Sequence, residues 1–348
     1  MSNLSQSNNH PSGKEIFLPA VGTWSQSWYL LDGESQDAIS LAVASGRPLL
    51  VRGLPGTGKS DLARAAAEHL ERAFVYEVIT AHTEPQDLLW RFDAIARLAD
   101  AQVKRTGVES AENVADPGRP LHYVSPGPLW WGLHWGSAEL HLKEDCKTPA
   151  QRPDRSIKNH QNQAIIQQER AQKKGTVLLL DEIDKADSEL PNSLLEVLAN
   201  TGFRKPWSEE EIKADDGARR PLIIITTNED RELPPAFVRR CLVLSILPDT
   251  DFATWIKKRA RVHFRNSDSD QKTNTERPML SDNVLDQAAE QLMKDRQADM
   301  GDGPKPGLAE YLDLLRGLQQ LAENDEAEQL RWLKRVYQFA YHKQPNSN

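Results

Sequence analysis

Apolar residues follow two rhythms along this chain, and the rhythm changes once. Up to about residue 248, short continuous apolar runs alternate with stretches in which apolar residues recur at helical spacing. PLLVRG, from Pro48, leads into SDLARAAAEHL, and further runs AFVYEVI, TVLLLD and PLIIITTN are flanked by helix-patterned segments such as LPNSLLEVLANTG, whose glycine suits a helix end. Continuous rather than alternating apolar strands imply burial on both faces, so the order strand, helix, strand predicts a mostly parallel sheet covered by helices. After Asp251 the strand signal stops. WIKKRARVHF, SDNVLDQAAEQLMKD, GLAEYLDLLRGLQQL and EQLRWLKRVYQFAY all read as amphipathic helices, with RNSDSDQKTNTERP as a loop among them.

Three polar stretches interrupt these patterns. Residues 1–14, rich in Ser and Asn, hold too little apolar surface to order themselves and are expected to be a disordered tail. Residues 137–174 are polar, with a local excess of Lys, Arg and His over 141–174, and are expected to form a solvated surface insertion or a partner-facing loop. FRKPWSEEEIKADDGARRP is expected to form a charged hairpin. The resulting division is a tail at 1–14, an α/β nucleotide-binding domain at 15–248 with the polar insertion at about 137–174, and an all-helical lid domain at 249–345.

Charge and cysteine content narrow the functional classes. Over 348 residues, 43 basic against 51 acidic side chains give a net charge of -8, the wrong sign for general attraction to nucleic acid. Two cysteines, Cys146 and Cys241, are too few and too far apart for a disulfide framework or a metal cluster. The amino terminus lacks the basic start and apolar stretch of a leader peptide, and no apolar run approaches the ~20 residues that span a bilayer. A cytoplasmic protein without a membrane segment is expected.

The candidate chemistry concentrates at strand ends. Gly53, Leu54, Pro55, Gly56, Thr57, Gly58, Lys59 and Ser60 form GLPGTGKS, the pattern G-x-x-x-x-G-K-[ST], between a predicted strand and a predicted helix. Glycines there let the backbone curl so that its N–H groups surround phosphate oxygens; Lys59 then reaches the β- and γ-phosphates, Ser60 ligates Mg²⁺, and Asp61 follows at the helix start. TVLLLDEID delivers adjacent carboxylates at the end of a buried strand: Asp181 to hold Mg²⁺ through water, Glu182 to polarise the attacking water. Asn228 closes PLIIITTN and can hold that water or the γ-phosphate by hydrogen bonds. Arg239 and Arg240, in RELPPAFVRRC, follow a short proline-started helix and can pair within the chain or reach an adjacent subunit's γ-phosphate. The base is expected near Tyr29 to Ile39 and the lid.

With P-loop, DEID, TTN and LPPAFVRRC in this order, the chain over roughly residues 25–320 resembles the AAA+ ATPases, and among them the MoxR-like branch, P-loop NTPases of the helix-two-insert type. TEPQDLLWRFD and LHYVSPGPLWWGL resemble that branch's stretch after the second core strand and its helix-two insertion, whose Gly-Pro helix start faces the channel of the ring. Trp130, Trp131 and Trp135 belong either there or to core and subunit-interface packing. The resemblance implies an ATP hydrolase that uses ATP and Mg²⁺, forms a homo-oligomer, a hexamer, with ATP at each subunit boundary, and remodels a protein client, with Arg240 as the arginine finger and Arg239 as the alternative. MoxR-like ATPases often work with a von Willebrand A-type partner; no such domain fits in the residues left over, so that partner is expected to be another polypeptide. The chain departs from the branch where a lid helix should begin with a sensor arginine: GPKPGLAEYLDLLRGL places Gly307 or Ala309 there, with Lys305 and Arg316 nearby. Two other classes fit part of the pattern: a nucleotide-dependent switch in a bacterial defence complex, and a DNA-acting or GTP-using restriction-type motor.

Overall fold

The computed structural model describes residues 13–105, 115–150, 152–159, 163–247, 251–264, 279–298 and 305–341. The expected loop at 265–278, nearly all of the expected tail and the expected boundary at 248 and 249 lie outside these residues. At its centre stands a five-stranded, all-parallel sheet in the order Leu242–Ser245, Leu49–Arg52, Leu222–Thr227, Thr176–Asp181, Ala73–Val78. Every residue of Leu222–Thr227 and Thr176–Asp181 is buried, as continuous apolar runs between two helix layers require. The fold is therefore the α/β fold expected, followed by helices Phe252–Phe264, Asp282–Ala298, Leu308–Ala322 and Glu326–Tyr341. Thr227 pairs with Arg52, Ile225 with Leu180, and Val78 with Asp181, so the carboxyl ends of adjacent strands lie side by side.

Among the strands not anticipated, two bear on the site. Leu242–Ser245 is short and lies at the sheet edge with Val243 46% exposed, so its apolar run is too brief to signal a strand. Lys14–Leu18 pairs antiparallel with Ser27–Leu31, which places Lys14 in a strand rather than in the tail. This hairpin packs on the P-loop helix Lys59–Leu70 and on Phe252–Phe264, and one apolar cluster joins Leu31, Leu62, Ile256, Leu292 and Leu315. The expected charged hairpin forms from Gly202–Arg204 and Glu211–Lys213. Among the described residues, no helix is long and apolar enough to cross a membrane.

Most described residues of the segment 137–174 are exposed or half-buried, and a few join the core. Helix Trp135–Glu144 buries Ala138, Glu139 and His141, and helix Gln167–Lys174 buries Gln167 and Ala171. Gln167 Oε1 accepts a hydrogen bond from the buried amide of Phe74 at 3.0 Å, closing the outer edge of the sheet, while Ile157 joins the main apolar cluster. Some of its polar groups are paired with the rest of the fold or with each other: Arg170 grips Glu68 at 2.7 and 3.0 Å, and Arg152 meets Glu139 at 2.7 Å. Trp130, Trp131 and Trp135 are likewise buried within the chain, and all six residues of helix Pro128–Leu133 are inside. Core packing, not exposure to a channel, accounts for them.

Candidate functional site

The P-loop strand Leu49–Arg52 ends in a turn that only glycine tolerates at two further points, Gly56 (φ 74°) and Gly58 (φ 88°), before helix Lys59–Leu70 begins. Gly58 caps that helix without a side chain, which leaves its first amide groups to whatever occupies the loop. Thr57 Oγ1 braces the turn by donating to the Leu54 carbonyl at 2.9 Å. Lys59 turns back beneath the loop: its ammonium donates to the carbonyls of Gly53 (2.7 Å) and Leu54 (2.9 Å) and to Asn228 Oδ1 (2.6 Å). Burial lowers the Lys59 pKa, and Asp181, Asp184 and Glu182 oppose that shift.

Three carboxylates hold this lysine's surroundings in place. Asp181 accepts from Ser60 Oγ at 2.8 and 2.9 Å and from Thr226 Oγ1 at 2.6 Å. Thr226 in turn accepts from the Glu182 amide at 2.8 Å. Glu182 has a left-handed backbone (φ 59°), a costly conformation for a side chain other than glycine, and its Oε1 accepts from Asn228 Nδ2 at 3.1 Å. Asp184 accepts from the amides of Asn228 (3.1 Å) and Asp230 (2.9 Å), fixing the loop that carries Asn228. Lys59, Asn228 and Glu182 thus form one continuous chain of contacts.

A cavity of about 310 Å³ opens over this cluster. Pro55 to Asp61 form its floor, with Asp181, Glu182 and Asn228 at one side; Trp24, Tyr29 and Leu30 come from the amino-terminal hairpin region, and Arg259, His263, Leu308, Leu312 and Arg316 from the carboxy-terminal helices. Tyr29 and Leu30 thus come from the segment expected near the base, whereas Ile39 lies in the core. Burial raises the Tyr29 phenol pKa well above its ordinary value. Asp61 lines the cavity, but its carboxylate is engaged by Arg64 at 2.7 Å, and Arg64 continues to the carbonyls of Pro19 and Ser25. A second cavity, about 340 Å³, borders strand Ala73–Val78; its Glu77 and Arg91 are paired with each other, and its Arg152 with Glu139.

The sensor position is occupied by packing rather than charge. A Cβ built on Gly56 would lie 2.7 Å from that of Ala309, so Ala309 sits directly on the P-loop. Lys305 is exposed and does not line the cavity, whereas Arg316 does, paired to Asp313 at 2.9 Å. Arg259 was not anticipated: it bridges to Asp32 at 2.9 Å and stacks over Trp255 at 3.9 Å from the ring centre. Its position in an amphipathic helix gave no signal, because only the fold brings that helix to residue 32. Thr226 and Asp184 were legible at most as neighbours of the strand-end residues.

Arg239 and Arg240 lie at the end of helix Pro235–Arg240, exposed and away from this chain's own cavity. Arg240 Nη1 donates a short hydrogen bond to the Leu195 carbonyl. The structure therefore gathers Lys59, Ser60, Asp181, Glu182 and Asn228 and leaves the arginine pair outside.

The model of the AAA ATPase domain family matches residues 36–207. Over that stretch the chain is similar to AAA ATPase domains. The matched segment contains the P-loop and the Asp181–Glu182 pair, and Asn228 lies beyond it. None of the curated proteins matches the chain. Among solved structures it is similar to a candidate ATPase from Cytophaga hutchinsonii, at 12% identity and a TM-score of 0.35 over 85% of this chain. The chain spans 66%, just under two thirds, of that protein's length. It is also similar to the RuvB Holliday junction branch migration motor of Thermotoga maritima, at 13% identity and a TM-score of 0.39, covering 87% of this chain and 67% of the other.

Proposed function

We propose that the chain hydrolyses ATP to ADP and phosphate at the P-loop cavity, and that it does so as a MoxR-like homo-oligomeric ring, a hexamer, which remodels or assembles a protein partner. One observation carries the catalytic part: Lys59, Ser60, Asp181, Glu182 and Asn228 meet at the ends of adjacent parallel strands through hydrogen bonds of 2.6–3.1 Å. In this reading the Lys59 ammonium exchanges its carbonyl partners for β- and γ-phosphate oxygens. Glu182 orients the attacking water and takes its proton as the water oxygen bonds to the γ-phosphorus and the bond to the bridging oxygen breaks. Asn228, already bonded to Lys59 and Glu182, keeps the water between them.

Ser60 and Asp181 supply two hard oxygen donors side by side, a set that suits Mg²⁺, which keeps waters and takes further ligands from phosphates. Bound there, Mg²⁺ supplies charge neutralisation at the β- and γ-phosphates. Arg240, or Arg239, acts on the neighbouring subunit's γ-phosphate; its exposed place outside its own cavity supports a role in trans. The partner is a protein, of von Willebrand A type or another client. The acidic balance of the chain offers no support for a nucleic-acid client.

Glu182→Gln tests the reading, since it keeps shape and hydrogen bonds but removes the carboxylate. ATP binding is expected to persist while hydrolysis stops, and ATP with Mg²⁺ is expected to shift the variant to hexamer size in light scattering far more than ADP does. Retained hydrolysis would show that Glu182 is not the base. A variant that stays monomeric at saturating ATP would remove the ring from the proposal.

A further inference from the structure

Arg47 holds three consecutive backbone carbonyls that lie more than 190 residues away in sequence. Its Nη2 donates to the carbonyls of Arg239 (2.7 Å) and Cys241 (3.1 Å), and its Nε to that of Arg240 (3.2 Å). These are the last carbonyls of helix Pro235–Arg240, which has six residues and is too short to be stable alone. Carbonyls at a helix end lack partners within the helix and carry its negative partial charge, so a guanidinium is the group best suited to them. Among the described residues Arg47 forms no ion pair, although it lies beside two further arginines. Its Nε and Nη2 donors are spent on the backbone.

The root of Arg47 is itself fixed. It follows Gly46, the left-handed cap (φ 66°) of helix Gly33–Ser45, and precedes Pro48, which confines its backbone to extended conformations. The Pro48 carbonyl accepts from the amide of Leu242 at 2.8 Å, and Pro48 leads into the P-loop strand. Arg47 therefore sits at the one place where the entry to this chain's P-loop strand meets the exit of the arginine helix. On the inner side that helix is anchored by Phe237, which is fully buried, and at its end Arg240 reaches the Leu195 carbonyl.

We propose that Arg47 is the positioning residue of the Arg239–Arg240 pair: by clamping carbonyls 239, 240 and 241 it sets the direction in which the pair projects toward a neighbouring subunit's nucleotide. The inference rests on the trans-acting reading above. Because the clamp is exposed and touches no residue of its own cavity, it acts on the neighbour's turnover and not on its own ATP binding. Lysine cannot replace it in full, since a compact ammonium cannot span three carbonyls as the guanidinium fork does.

The test uses full-length Arg47→Gln and Arg47→Lys proteins beside an Arg239→Ala/Arg240→Ala double variant. Arg47→Gln is expected to lower kcat by about 10- to 100-fold, the scale on which small misplacements act, with ATP affinity within about threefold. Arg47→Lys should fall between it and the wild type. Mixing Arg47→Gln with Lys59→Ala subunits should restore turnover, because the second protein offers an intact arginine pair to the first protein's intact site. If the arginine double variant hydrolyses ATP normally, the trans reading fails and this inference with it. If the double variant is impaired while both Arg47 variants turn over normally, the inference alone is wrong. Loss of ATP affinity in both Arg47 variants, or no restoration at any mixing ratio, would also overturn it, since the defect would then lie in the variant's own site or fold.

Discussion

Replacing Asn228 with aspartate puts a negative charge where two charged groups of the site meet. The native amide accepts from Lys59 Nζ at 2.6 Å and donates to Glu182 Oε1 at 3.1 Å. In the Asn228→Asp protein the first contact survives, but the donor facing Glu182 becomes an oxygen. Two unit charges at the native 3.1 Å separation repel by about 5 kcal/mol at an effective dielectric of ~20. The cavity is open to solvent, Lys59 offsets part of the charge and Glu182 can move, so roughly 2 to 3 kcal/mol should remain. That corresponds to about a 30- to 150-fold loss of turnover at ~1.4 kcal/mol per tenfold. Asn228→Ala, which deletes two hydrogen bonds to charged groups, should cost about 1.5 to 3 kcal/mol for each and so is at least as large. pH separates the two. Like charges raise the pKa of the carboxyl pair, so acidification restores a shared proton, and with it the lost donor, only in the aspartate variant. Steady-state phosphate release at saturating ATP between about pH 6 and pH 8 should show Asn228→Asp recovering relative to wild type as pH falls, while Asn228→Ala does not. Turnover of Asn228→Asp within about threefold of wild type at the upper pH would refute the role given to this contact.

Three further outcomes follow from the geometry. Gly56→Ala forces a Cβ into a left-handed turn and to 2.7 Å from Ala309, so it should cost about 1 to 2 kcal/mol or more and weaken ATP binding; calorimetric melting and nucleotide titration check both. Gln167→Ala strips the Phe74 amide of its partner and should destabilise the fold by about 1 to 3 kcal/mol in urea titration, and deletion of residues 141–172 should abolish folding, whereas a detachable insertion would tolerate both. Lys59 loses its proton more readily folded than unfolded, so between its folded pKa and the ordinary 10.5 the unfolded chain binds more protons and unfolding free energy rises with pH. Buried phenols with raised pKa, Tyr29 among them, work against this rise by lowering stability as pH increases in both proteins, so urea midpoints across the alkaline range should fall more steeply in Lys59→Met than in the wild type; an identical pH dependence in both proteins would count against it.

What the sequence determined by itself is the part encoded locally. Buried strands announce themselves as continuous apolar runs, and the P-loop as glycines at fixed spacing before a lysine, because backbone sterics and double-sided burial each constrain a few adjacent residues. Lys59, Ser60, Asp181, Glu182 and Asn228 were therefore legible as strand-end groups before any fold was known, and so was the switch to helices after residue 251. The tertiary structure decided whatever depends on partners remote in sequence. Residues 137–174 read as solvated because they are polar, yet Arg170 meets Glu68 and Gln167 meets Phe74, about a hundred positions away, so those two side chains tie the segment to the fold. Likewise Arg259 lines the cavity and pairs with Asp32, 227 positions away, and Arg47 finds its carbonyls only because a parallel sheet lays the strands entered at Pro48 and Leu242 side by side. Hydrogen-bond partners between distant segments leave no period in a sequence, since pairing in space imposes no spacing along the chain.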